Sequence, residues 1–69
     1  MTNTKLLEDL INKSGFKRSF IADKLGLSTY GLQLKIQGNN EFKPSEIEKL
    51  CELLKITSLN LKENIFFAK

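Results

Sequence analysis

Sixty-nine residues at 41% apolar content can build one small core, which excludes two independent domains. One cysteine and no histidine remove an intrachain disulfide and histidine-based metal sites as stabilising devices, so helix packing or association must hold the chain together. The formal charge is only +3, yet residues 13–43 carry Lys13, Lys17, Arg18, Lys24, Lys35 and Lys43 against Asp23 and Glu41, a net of +4, whereas the four lysines and four glutamates of 44–69 cancel.

In chain order, Leu6, Leu7, Leu10 and Ile11 recur at helical spacing and predict a first helix from about Thr4 to Lys13. Thr2, Asn3 or Thr4 can cap it, and Ser14-Gly15 ends it. The opening Met-Thr-Asn-Thr-Lys leads into this amphipathic segment with Glu8 and Asp9 rather than into a signal-peptide core. No apolar run approaches the ~20 residues of a membrane span. Both point to a soluble, cytoplasmic chain with no membrane partner.

Phe16 is expected to plug the junction before a second helix that opens at Lys17-Arg18-Ser19 and runs to about Lys24. In it, Phe20, Ile21 and Leu25 form an apolar stripe, Ala22 lets another helix lie close across it, and Gly26 supplies the positive φ of a sharp exit. Leu27 closes the corner. Ser28 stands where an N-cap belongs, and a third helix is expected over about Thr29 to Gln37, with Leu32 and Ile36 on its buried face and Gly38 as its left-handed terminus. Gly31 inside that helix costs ~1 kcal/mol relative to alanine, which implies that something approaches its backbone closely. Residues 18–37 thus carry the physical recipe of a helix-turn-helix, whose second helix stands proud so that its outer face can enter a DNA major groove.

Asn39 to Lys43 reads as a loop with Phe42 folded back as an anchor, and Pro44 enters the first turn of a fourth helix, where Ser45 and Glu48 fit a capping box. Ile47, Leu50, Cys51, Leu53 and Leu54 give that helix a wide apolar face ending near Lys55-Ile56, and Cys51 reads as a small buried apolar residue. A fifth helix from about Ser58 carries Leu59 or Leu61 and Ile65 inward, and the closing Ile65-Phe66-Phe67 is either helical or extended. The expected fold is all-α, a compact bundle of four or five helices forming one domain over residues 1–69.

The run Ile21-Ala22-x-x-Leu25-Gly26-Leu27-Ser28, followed by Leu32, Ile36 and Gly38 and then by a helix with Pro44, Ser45, Ile47, Leu50, Leu53 and Leu54, resembles the lambda-repressor-like DNA-binding domains over nearly the whole chain. The small size, the Gly38-Asn39-Asn40-Glu41-Phe42 loop and the Glu63-Asn64-Ile65-Phe66-Phe67 ending look most like the Cro-type regulators of bacteriophages and prophages from low-G+C bacteria. The resemblance implies a lambda-repressor-like fold and a dimeric transcription repressor on operator half-sites arranged as inverted repeats, working in the cytoplasm of a bacterial host on its nucleoid. One position departs from the pattern: many members have an apolar residue where this chain has Lys35. Either the lysine stem lies over the core while its ammonium reaches a phosphate, or the third helix turns so that Ile36 takes the buried place.

A helix entering a groove by its N-terminal end presents its first residues and those one turn later, here Thr29, Tyr30, Gln33 and Leu34. Gln33 can pair bidentately with an adenine edge, Thr29 can offer its hydroxyl or methyl, Tyr30 can meet a thymine methyl or a phosphate, and Leu34 makes apolar contact alone. A plain solvated helix face is the other reading of this quartet. The resemblance adds Asn40 as a further base contact and Asn39 as a backbone contact. Lys17, Arg18, Ser19, Ser28, Lys35 and Lys43 are the other expected phosphate contacts, with simple capping or a solvated surface as their alternatives.

Two such helices must sit ~34 Å apart to meet successive major grooves. The surface that sets this spacing in the family is the C-terminal part, which makes Ile65, Phe66 and Phe67 the expected dimer interface. Phe66 and Phe67 point about 100° apart on a helix, so one can be buried while the other meets a partner; both closing the core is the alternative. With no histidine, no carboxylate pair in a predicted cleft and no phosphate loop, the chain is not expected to be an enzyme or to need a cofactor, metal or small-molecule ligand. The rival to a DNA reader is a protein-interaction module on the same fold, either a modulator that binds a repressor or the antitoxin of a toxin pair.

Overall fold

A computed structural model describes residues 2–67, and among these the chain forms five helices and no strand: α1 (Thr4–Ser14), α2 (Arg18–Leu25), α3 (Thr29–Ile36), α4 (Pro44–Leu54) and α5 (Leu59–Phe66). Local chemistry sets most of the boundaries. Asn3 Oδ1 accepts from the Leu6 N–H at 3.2 Å, Ser28 Oγ from the Gly31 N–H at 2.9 Å, and Ser58 Oγ from the Leu61 N–H at 3.3 Å, so three helices start on a side-chain cap. Gly26 leaves α2 at φ 72°, and after α3 Gly38 turns left-handed at φ 83° while the Asn39 N–H donates back to the Leu34 carbonyl at 2.9 Å.

The start of α4 differs from expectation. Proline suits the first helical position because its fixed φ is helical and its missing N–H has no partner there, which places the N-cap at Lys43. Glu46, not Glu48, is therefore the residue that reaches back: its Oε1 accepts from the Lys43 N–H at 2.8 Å. Ser45 lies inside the helix and caps nothing.

Leu7 and Ile11 of α1, Ile21, Ala22 and Leu25 of α2, Leu32 and Ile36 of α3, Ile47 and Leu50 of α4, and Ile65 and Phe66 of α5 share one buried cluster. Phe42 joins it from the loop, its ring 5.6 Å from that of Phe66 in an edge-to-face arrangement, as an anchor should. Two apolar residues expected inside are not there. The buried stripe of α2 spans Ile21, Leu25 and Ala22, and Phe20 falls about 100° outside it. Phe20 is 41% exposed and lies beside Phe16, itself 38% exposed rather than plugging the junction. In α5 it is Leu61, not the exposed Leu59, that packs on the core.

α2 and α3 pack against each other across the turn Gly26-Leu27-Ser28, α2 also lies on α4, and α1 touches α3, α4 and α5. The first residues are fastened at two points: the Asn3 N–H donates to the Ile65 carbonyl at 2.6 Å, and Thr4 Oγ1 donates to the Ile36 carbonyl at 2.8 Å. Burial pushes the half-buried Cys51 thiol up despite the nearby Lys62 ammonium, the behaviour of a packing residue rather than a nucleophile. No helix of the described residues is long and apolar enough to cross a membrane.

Candidate nucleic-acid interface

Burial of Leu32 and Ile36 at 0% exposure fixes how α3 is rotated. At about 100° per residue, Tyr30, Leu34 and Gln37 then lie along the opposite line, with Gln33 and Gly31 on its two flanks. Tyr30 is 74% exposed, Thr29 and Gln37 are exposed, and Gln33 and Leu34 are half-buried. Asn39 and Asn40 continue the exposed surface into the following loop, where Asn39 Nδ2 donates to Gln37 Oε1 at 3.4 Å. All five residues expected to read bases, Thr29, Tyr30, Gln33, Leu34 and Asn40, thus lie outside the core. Gln37 shares their surface but was not expected there, since sequence reasoning treats it only as a helix end. Its place seven residues after Tyr30 and three after Leu34 is the signal that finds it.

The close neighbour implied at Gly31 is within the chain. A Cβ at Gly31 would lie 3.1 Å from Ser28 Oγ, the atom that accepts the Gly31 N–H. Ser28 acts only as acceptor in this bond and keeps its O–H proton to donate outward, so capping and phosphate contact are compatible.

The expected phosphate contacts divide into free and engaged groups. Lys17, Ser19, Asn39 and Lys43 are exposed, with Lys17 and Lys43 at the N-termini of α2 and α4. Arg18 is drawn toward α1, its Nη2 3.6 Å from Glu8 Oε2, and its Nη1 is buried with no hydrogen-bond partner. Lys35 is engaged most fully: its ammonium donates to Glu46 Oε1 at 2.5 Å, with both side chains largely buried. Ile36 takes the buried place and the Lys35 charge is neutralised where it stands, which corrects the expectation that this lysine is free for a phosphate. Burial raises the Glu46 carboxyl pKa, but the Lys35 ammonium and the Lys43 N–H more than offset this and hold it below the usual carboxylate range.

Ile65 and Phe66 are also corrected as interface residues. The inward stripe of α5 falls on Leu61, Ile65 and Phe66, so these two are used within the core, and Phe67, at 57% exposure, is the one of the three that reaches the surface. Phe67 and the exposed Leu59 border a groove of about 490 Å³ with Phe42, Pro44 and Ile47. Among the described residues no group of three or more histidine, cysteine, aspartate or glutamate side chains could hold a metal ion.

No family model matches the chain, and neither a curated protein nor a solved structure matches it.

Proposed function

We propose that the chain is a sequence-specific, double-stranded DNA-binding transcription regulator, a Cro-like repressor that sets α3 in the major groove of operator half-sites and works as a homodimer in a bacterial cytoplasm. The observation that carries this reading is the two-sidedness of α3, which buries Leu32 and Ile36 completely and turns Tyr30 outward at 74% exposure. In this reading Gln33 pairs with an adenine edge, Thr29, Tyr30 and Asn40 contact bases, and Leu34 meets a thymine methyl. Lys17, Ser19, Ser28, Asn39 and Lys43 position the domain on phosphates, and Arg18 joins them by giving up its long contact to Glu8. Phe67 and Leu59 provide the surface for the second protomer.

A gel-shift and footprint on the DNA flanking its own gene tests the reading, with a protected inverted repeat as the expected result. Lys17, Arg18 and Lys43 from two protomers give about six phosphate contacts, so log K should fall against log salt with a slope of about −5. Gln33→Ala should weaken specific binding by about 1–3 kcal/mol and leave nonspecific binding unchanged. Equal losses on both would remove the base-reading role.

A protein-interaction module is the second reading, and one observation favours it: two of the expected cations, Arg18 and Lys35, are engaged by carboxylates of the chain itself. That module would bind a repressor or a toxin through the Tyr30–Leu34 face, with a shallow salt response.

A further inference from the structure

Phe16 and Phe20 are large apolar side chains that neither the core nor the α3 face uses. Their rings lie 5.2 Å apart, tilted by 32°, and the Lys24 ammonium stands 5.4 Å from the centre of the Phe20 ring. Phe16 and Lys24 come four residues before and four after Phe20, so its ring has another ring and a cation as neighbours along one edge of α2. The same Lys24 lines a shallow cavity of about 320 Å³ with Lys49, Glu52 and Leu53 of α4. Lys24 is thus shared between the Phe16–Phe20 pair and this cavity, to whose lining Leu53 contributes the aliphatic side chain. Phe20 and Lys24 lie on the flank of α2 opposite Arg18, which points to α1.

We propose that this edge of α2 is a docking surface for an acidic protein segment, which places one apolar side chain in the cavity between α2 and α4 and its carboxylates against Lys24 and Lys49. Two features select this occupant. The edge carries Lys17, Lys24 and Lys49 against Asp23 on α2 and Glu52 on α4, a small cationic excess that complements negative charge. Stacking of a nucleic-acid base requires an open ring face. Phe16 and Lys24 both engage the Phe20 ring and so compete with a base for its faces, whereas the apolar Phe16, Phe20 and Leu53 suit an aliphatic or aromatic side chain. The inference holds whether or not α3 reads DNA.

The test is selection of a phage-displayed random twelve-residue peptide library on the full chain, followed by titration of the winning peptides into isotopically labelled protein. The expected winners carry an apolar residue bracketed by aspartate or glutamate and shift backbone amides of residues 16–24 and 49–53. Lys24→Glu with Lys49→Glu should weaken them at least tenfold, and exchanging the peptide acids for lysines should restore binding to that variant. Phe16→Ser with Phe20→Ser should abolish binding, and the charge-swap pair keeps the test decisive if this variant unfolds. Winners without acidic residues, shifts confined to α3, no enrichment, or displacement of the peptide from this edge by a twelve-nucleotide oligothymidine would each overturn the proposal.

Discussion

Ser28 and Gly31 form a unit in which a missing methyl group keeps a hydrogen bond in place. The Ser28 cap depends on an Oγ position that lies 3.1 Å from where a Cβ of residue 31 would be. Gly31→Ala should therefore fail to deliver the ~1 kcal/mol of helix propensity that alanine normally brings. In a Ser28→Gly background the same substitution should stabilise, and urea denaturation of the four variants should give a coupling of about 0.5–1 kcal/mol. Additive behaviour would show that the hydroxyl simply rotates away. The glycine itself was legible in the sequence as a costly residue at mid-helix. Its reason was not, because the relevant neighbour is a matter of tenths of an ångström. Phe20 went astray differently: beside Ile21, it is as apolar as a core residue, and only the choice of Ile21, Ala22 and Leu25 as the inward stripe leaves it outside.

Between elements, one carboxylate oxygen joins three segments. Glu46 Oε1 accepts from the Lys35 ammonium on α3 and from the Lys43 N–H ahead of α4, closing the loop that carries Asn39 and Asn40. Glu46→Gln keeps the shape but loses the charge, and should destabilise by about 1–3 kcal/mol at neutral pH. The sign with pH follows from the lowered carboxyl pKa. Stability from Glu46 is fully present above the ordinary glutamate range and is lost as the pH falls through the depressed folded value. Urea midpoints measured from pH 7 down to 3 should thus converge between wild type and Glu46→Gln at the acid end, and a constant gap would contradict the assignment. Pro44 marked the first turn of α4, but the capping box was expected at Ser45 and Glu48, two residues later than the Lys43 and Glu46 that form it. The Lys35–Glu46 pair was not legible: Lys35 stood out at a usually apolar position, but eleven residues and a loop separate it from the carboxylate that meets it.

The whole molecule depends on few side chains. A domain of this size holds only a few kcal/mol of net stability, and truncating a fully buried leucine costs about 2–5 kcal/mol. Leu32→Ala should accordingly leave much of the population unfolded in a thermal melt, whereas Asn60→Ala, at an exposed position of α5, should shift the midpoint by no more than a few degrees. Helix order could be read from periodicity, glycine and proline alone, because those signals are local, while the number stayed at four or five because the closing Ile65-Phe66-Phe67 has no such signal to set it. The outward face of α3 was legible too, since burying Leu32 and Ile36 leaves Tyr30 one orientation.

What periodicity hides is how the first residues are bound both to the last helix and to the middle of the chain. Asn3 and Thr4 bridge the backbone of α5 and the last turn of α3. A bulky fusion placed ahead of residue 2 would strain this brace, and loss of Thr4 would free a carbonyl at the rear of the helix proposed to face the operator. Amide exchange in residues 33–37 of Thr4→Val should quicken with no change in any surface residue. Because Ile65 in α5 is the other half of this brace, a purification handle at either end of such a small protein is expected to act on the same contacts and on the stiffness of α3 behind its exposed face.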